Sequence, residues 1–441
     1  MEVERDRRDN TALPGTVVRF ARMMAATALR RADAFFETLE RMPADPRRHV
    51  EALARAEGPH ALYVHMPFCH QPLCRFCCFV RYPFDGEMNR SYMKALTAEA
   101  TWLASTAEAV KVPLVYIGGG TPSIDVYALA ELVDVLRSYF GRGIDVSTEA
   151  SPLDIDDEAV QVLRSAGVKR LSIGIQALSN ERLRRLGRLS NTVEDALRAV
   201  EAARGRFETL NIDVVWGIAS DTPETVYNEA RRALGLGASQ VTFYPLMPAP
   251  GLRRLLRERQ EGPWHPMEPR LYEAVLRAAR DAGYRPATPW CMDQGSELLD
   301  EYVVDYDRFL AIGLSAIGRT EGYIYVNTFT PERYVKLVAE RGHAAALAKK
   351  LTVEEDMLYY ASSMAFGLRW CPEQLRKRYG LLARGLSVMV AAALRILGEQ
   401  KRGGSCYVLE TPGSLYAAHA VQRSIYMAVN GLREWGMKTG A

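Results

Sequence analysis

The 441-residue chain predicts an α/β fold in which a parallel sheet closes partly into a (β/α)6 barrel. Two observations carry this expectation. Six short apolar stretches alternate with helix-forming stretches between about residues 60 and 245, the pattern of strand-helix crossovers. The unusual clusters of the chain also fall where predicted strands end, the face on which such barrels carry chemistry.

The first strand, Leu62 to Met66, stops at a run of cysteines, and Ser91 to Ala107 has helix-forming composition. Leu114 to Ile117 is apolar and breaks at Gly118, Gly119 and Gly120, after which Val126 to Tyr139 carries apolar residues at helical spacing. Ile144 to Thr148, Asp156 to Ala166, Leu171 to Ile175, the charged stretch Glu181 to Arg188 and Val193 to Ala203 continue the alternation. Leu210 to Val215, Pro223 to Leu234 and Gln240 to Tyr244 complete it. Before the barrel lies an Arg-rich helical segment, Val17 to Met42; after about Pro289 the alternation is lost, and from Leu351 the chain reads as mostly helical. The predicted organisation is an N-terminal helical extension (1–58), a barrel (59–290), a barrel-completing or lid segment (291–350) and a C-terminal helical domain (351–441).

The balance of 56 Lys+Arg against 53 Asp+Glu leaves a net charge of +3, too little to suggest a nucleic-acid partner. No apolar run reaches membrane-spanning length and the first residues lack a secretory signal's apolar core, so a cytoplasmic, reduced setting is expected.

Cys69, Cys74, Cys77 and Cys78 fall within ten residues, whereas Cys291, Cys371 and Cys406 are scattered singly. Clustered thiols in a long chain of this composition point to a metal. Zinc could take Cys69, Cys74 and Cys77 with His65 or His70; a 4Fe-4S cluster on three thiolates would leave one iron open to a small molecule.

The rest of the chain bears on that choice. Tyr63-Val-His-Met-Pro-Phe-Cys69, Tyr116-Ile-Gly-Gly-Gly-Thr-Pro-Ser123, Thr148-Glu-Ala-Ser-Pro152, Arg170-Leu-Ser-Ile-Gly-Ile-Gln176, Leu186-Gly-Arg188 and Asn211-Ile-Asp-Val-Val-Trp-Gly217 follow one another, with Phe309-Leu-Ala-Ile-Gly-Leu-Ser-Ala316 beyond. Together, over roughly residues 60 to 385, they resemble the radical S-adenosylmethionine (SAM) superfamily, in its oxygen-independent coproporphyrinogen III oxidase-like branch. The resemblance implies that Cys69, Cys74 and Cys77 hold a 4Fe-4S cluster whose fourth iron binds SAM. The spacing here is C-x4-C-x2-C, one residue longer than the family's usual first interval, which leaves Cys78 as an alternative to Cys77. Phe76 occupies the aromatic position beside the adenine, and Tyr63 lies near cluster and cofactor. Gly118, Gly119 and Gly120 admit the amino group of SAM, Thr121 adds a hydroxyl, Glu149, Asp213 and Gln176 offer hydrogen bonds, and Arg188 offers a carboxylate fork. Taken singly, Glu149 could instead cap a helix and Arg188 be solvated.

The implied chemistry is reductive cleavage of SAM by an electron from a flavodoxin- or ferredoxin-type donor, in an oxygen-sensitive protein. Within the branch, Asp300 to Asp307 and Tyr323 to Phe329 look most like class C methyltransferases, which bind two SAM molecules. The leading expectation is therefore methyl transfer to an sp2 carbon of a planar aromatic molecule, with a quinone such as menaquinone as the narrower guess. Tyr306 or Asp305 is a candidate acid-base group, although Tyr302, Tyr306, Tyr323 and Tyr325 also read as packing. Two alternatives stand beside it: oxidative decarboxylation of a porphyrinogen, with Arg170, Arg188 and Arg319 as propionate partners, and haem chaperoning through the stretch His65 to Cys74. The N-terminal helix, with Arg22, Arg30 and Arg31, reads first as a charged, solvated helix; its alternatives are to cover the barrel mouth or to touch an anionic membrane peripherally.

Overall fold

The computed structural model describes residues 13–247, 251, 265–296, 306–399 and 406–441. Helices α1 (Gly15–Leu39) and α2 (Pro46–Ala54) precede the barrel. The barrel then runs β1 (Ala61–Met66), α3 (Gly86–Thr106), β2 (Leu114–Gly119), α4 (Val126–Phe140), β3 (Asp145–Ala150), α5 (Asp157–Ala166) and β4 (Arg170–Gln176). It continues through α6 (Asn180–Leu186), α7 (Val193–Ala203), β5 (Thr209–Trp216), α8 (Pro223–Leu234) and β6 (Gln240–Pro245). β1 to β6 lie side by side in sequence order and pair in parallel, as the alternation predicts. β1 and β2 are buried at every position, because helices cover one face of the sheet and the barrel interior fills the other. Sequence punctuation sets the helix bounds: Asp156, Thr192 and Thr222 cap α5, α7 and α8, and left-handed Gly167 and Gly187 end α5 and α6.

Past residue 289 the sheet continues, although the strand-helix alternation does not. Helix α9 (Glu268–Asp281) leads to β7 (Arg285–Pro286) and β8 (Cys291–Asp293), and β8 pairs antiparallel with β6. β9 (Phe309–Gly313) returns to pair parallel with β1 on its free side, and β10 (Ile317–Thr320) and β11 (Tyr323–Asn327) extend that edge. After α10 (Pro331–Arg341), β12 (Ala345–Lys350) completes an open sheet of twelve strands among the described residues.

Helices α11 (Val353–Phe366), α12 (Pro372–Tyr379), α13 (Leu382–Ile396) and α14 (Pro412–Thr439) complete the chain. Thr352 and Glu355 form a capping box that starts α11 where the sequence places a helix. α1 packs along α14, with Ala21 and Ala25 fully buried.

Cys371 and Cys406 correct the reading of solitary, reduced thiols, because they are bonded to each other. Arg369 pairs with Val408 and Trp370 with Tyr407, so the antiparallel register sets the next two residues, Cys371 and Cys406, side by side. No described helix is long and apolar enough to cross a membrane.

Candidate functional site

Cys69 ends a two-residue strand, Phe68–Cys69, that pairs with Tyr82–Pro83, so the cysteine loop leaves the barrel and returns at one point. The guanidinium of Arg81 joins the two arms, donating to the Phe79 carbonyl at 3.2 Å and the Cys74 carbonyl at 2.5 Å. His70 Nε2 meets Asp154 Oδ1 at 2.6 Å, and Ser123 donates to the other oxygen of Asp154 at 2.7 Å. His65 is spent as well: Nε2 faces the Val80 carbonyl at 2.9 Å and Nδ1 the Tyr63 hydroxyl at 3.0 Å. Burial holds the His65 ring neutral, lowering its pKa to about 4. Both histidines offered as a fourth zinc ligand are thus committed to protein partners, and no described group of three or more His, Cys, Asp or Glu forms a metal site by close approach.

All four clustered thiols line one cavity. Burial first, and then the neighbouring Cys77 and Cys74, push Cys69 up to about 12; burial and Cys74 also raise Cys77. Cys78, pushed up to about 11 by burial, feels mainly its chain neighbour Cys77. Cys69, Cys74 and Cys77 share this cavity wall with Cys78. Burial of this kind keeps Cys69 and Cys77 protonated until a metal stabilises their thiolates. Thr121 Oγ1 donates to Cys69 Sγ at 3.3 Å and Arg188 Nη1 to Cys74 Sγ at 3.6 Å, contacts that favour charge on sulfur.

The strand ends supply the rest. Glu149 caps no helix: its carboxylate accepts from the Tyr116 hydroxyl at 2.9 Å and from Gly119 N–H at 3.1 Å across β2 and β3. Asp213 is aimed by a polar ladder inside the barrel, in which Ser172 donates to one oxygen at 3.0 Å and Asn211 to the other at 2.7 Å. Gln176 lines the cavity from a left-handed backbone at φ 66°, at an irregularity in the β4–β5 pairing. Arg188 is not solvated; it donates to Asn191 at 2.5 Å and to the Gly174 carbonyl at 3.0 Å as well as to Cys74. Gly187 explains its reach, because the left-handed turn there lies against Arg75 of the cysteine loop.

The glycine triplet has a protein-side reason that the sequence did not disclose. A Cβ on Gly118 would come within 2.8 Å of Glu149, on Gly119 within 2.6 Å of His65, and on Gly120 within 2.7 Å of the Pro67–Phe68 backbone. The N–H groups of Gly119 and Gly120 are already bonded inside the protein, to Glu149 and to the Met66 carbonyl.

The cavity has a volume of about 980 Å³. Tyr63, Phe76, Gly119, Gly120, Thr121, Glu149, Gln176, Arg188 and Asp213 all border it; Gly118 stands behind Glu149. Its far wall is helical and largely apolar: Met24, Ala28 and Phe35 from α1, Leu358 and Ala361 from α11, Val390 and Leu394 from α13, Val421 and Ile425 from α14. α1 thus takes the covering role. Arg81 and Arg433 also line the cavity and were absent from the sequence-derived set. Arg433 lies over the Phe79 ring at 4.4 Å, a meeting of positions 354 residues apart that no local signal reveals.

Tyr306 is half-buried outside the described cavity lining, and Asp305 and Tyr302 lie outside the described residues. Tyr323 and Tyr325 are packing residues, bonded to His49 and to the Ala311 backbone. Of the proposed propionate partners, Arg170 is fully buried and bonded to Gln240 and Ser147, and Arg319 is ion-paired with Asp356.

Residues 63–243 match the Radical SAM superfamily. The chain is 26% identical to heme chaperone HemW of Bacillus subtilis over 77% of this chain and 91% of that protein. It is 30% identical to heme chaperone HemW of Mycobacterium tuberculosis over 64% of this chain and 75% of the relative. The solved coproporphyrinogen III oxidase HemN from Escherichia coli shares the fold, with a TM-score of 0.70 at 22% identity over 86% of this chain and 93% of that one. Membership of the superfamily implies a 4Fe-4S cluster and SAM, and three clustered thiols beside a glycine turn, two aimed carboxylates and an arginine fork fit both. The relatives named here are two heme chaperones and a coproporphyrinogen III oxidase, and none of the three is a methyltransferase. The chain belongs to the radical SAM superfamily, in the branch that contains heme chaperone HemW and oxygen-independent coproporphyrinogen III oxidase.

Proposed function

We propose that this radical SAM protein is a haem-handling protein that takes a planar tetrapyrrole into the cavity above the cysteine loop. The observation that carries the reading is the cavity itself. At about 980 Å³ it lies at the upper end of small-molecule sites, and its helical wall suits a broad flat ligand. The heme chaperones among its relatives support the same ligand class.

Cys69, Cys74 and Cys77 would hold the cluster, and Glu149, Gln176, Arg188, Asp213 and the glycine turn would hold SAM. When bound, that pair supplies one-electron reductive cleavage of a sulfonium. The chain's own part is to orient the ligands and keep water away. The cavity cations Arg81, Arg188 and Arg319 are engaged with protein partners, and Arg31 pairs with Glu354 at 3.0 Å. Two haem propionates ask less of such a set than the four of coproporphyrinogen. We therefore place haem binding ahead of decarboxylation.

The test is anaerobic reconstitution followed by titration with haemin, and separately by incubation with dithionite and SAM. Stoichiometric haem uptake with a Soret shift, weakened at least about tenfold by a bulky charge at Val421, is the expected result. Failure to bind haem overturns the proposal. Deoxyadenosine with carbon dioxide from coproporphyrinogen would favour the oxidase, and deoxyadenosine with S-adenosylhomocysteine would favour methyl transfer involving a second SAM.

A further inference from the structure

Helix α13 is apolar on both faces, yet among the described residues only one of them is covered. Leu386, Val390, Leu394 and Leu397 line the cavity, while Ala383 and Ala393 are buried. On the opposite face, Leu381 just before the helix is 86% exposed, and Val388, Met389 and Ile396 are 65%, 64% and 65% exposed. With Leu382 and Gly385 these residues form one stripe at helical spacing. Exposed large apolar side chains are common singly; a contiguous stripe marks a surface that meets something.

Charge identifies the occupant. Arg384 and Arg395 flank one edge of the stripe, and the preceding α12 adds exposed Arg376 and Lys377, with Glu373 as its exposed acid. A second copy of this chain docked on the same stripe would bring these cations against their own equivalents, an unfavourable juxtaposition. An anionic bilayer surface complements both features at once: cations toward headgroups and the stripe into the acyl boundary.

We infer that α12 and the outer face of α13 form a peripheral docking surface for anionic phospholipid membranes. The docked helix would then separate the bilayer from the cavity by its own thickness. The inference rests on the exposed stripe and its flanking charge alone, and stands whether or not the cavity takes haem.

The test is sedimentation of the full-length, reconstituted protein with vesicles of phosphatidylcholine alone or mixed with phosphatidylglycerol, at low and high salt. Binding is expected to the mixed vesicles only, to fall at least about tenfold at high salt, and to be lost in V388E/M389E. Both positions point away from the cavity, and an unchanged thermal transition would exclude misfolding; R384S/R395S, which leaves the apolar stripe intact, should weaken binding in the same direction. Equal sedimentation with neutral vesicles, no sedimentation with either, or binding unaffected by both variants would overturn the inference. A concentration-dependent dimer abolished by V388E/M389E, without vesicle binding, would assign the stripe to a second copy and overturn it as well.

Discussion

At the scale of single residues, Cys77 and Cys78 are adjacent buried thiols on the wall of one cavity. Burial is the first cause that raises both thiols; Cys74 adds to it at Cys77, and Cys77 adds to it at Cys78. The family resemblance favours Cys77 as the ligand. Cys77→Ser should therefore abolish cluster assembly, measured as iron and sulfide per chain and by the visible absorption of the reconstituted protein, while Cys78→Ser should retain most of it. Buried histidines carry a second prediction. Burial lowers His65 to about 4, and burial together with His343 lowers His49 to about 3. The unfolded chain binds protons on these rings below about pH 6.5 and the native protein does not, so stability present at neutral pH is lost as pH falls from about 6.5 toward 4. The slope is at most about 1.4 kcal/mol per pH unit for each ring. Urea midpoints between pH 4 and 7 measure it, and His49→Phe, which keeps a ring against Trp102 and Tyr325, should flatten the curve.

At the scale of elements, the end of β2 shows how local backbone and a distant side chain are solved together. Gly119 has φ 116° and faces the His65 imidazole, which Tyr63 and Val80 hold in place. Gly119→Ala meets both strain and a clash, and should cost about 2–4 kcal/mol in urea denaturation. SAM affinity should fall with it, because the same turn carries the N–H that fixes Glu149. The polar ladder of Ser172, Asn211 and Thr242 does for β4, β5 and β6 what Tyr116 does for β2 and β3: each sets a carboxylate before any ligand arrives.

At the scale of the whole molecule, α14, the chain's last helix, is tied to the end of β6 and the start of α9. Arg423 donates to the Leu246 carbonyl at 2.8 Å and lies 3.6 Å from Glu268, which also meets His419 at 2.9 Å. Burial opposes the charge on Glu268, but Arg423 and His419 outweigh it and keep the pKa below the usual carboxylate value. Arg423→Met would leave that carboxylate buried with only a hydrogen bond to His419, whose own charge burial disfavours, and the more weakly acting Arg22, a loss of about 3–5 kcal/mol by equilibrium unfolding. A loosened cavity should follow, seen as weaker haem uptake.

The barrel and most of its site were legible in the sequence because both are written locally. Strand periodicity, helix caps and short motifs at strand ends act over a few residues, and the parallel order of six strands follows from the alternation itself. What could not be read was set by contacts between distant positions: Cys371 with Cys406 through a strand register, Arg433 over Phe79, and α1 against α14. The same reason explains why Arg170 and Arg319 proved structural, since their partners lie on other strands and helices. The sequence by itself determined the cofactor-binding barrel, while the tertiary structure decided the shape and wall of the cavity, because an enclosed volume exists only once separate elements have packed around it.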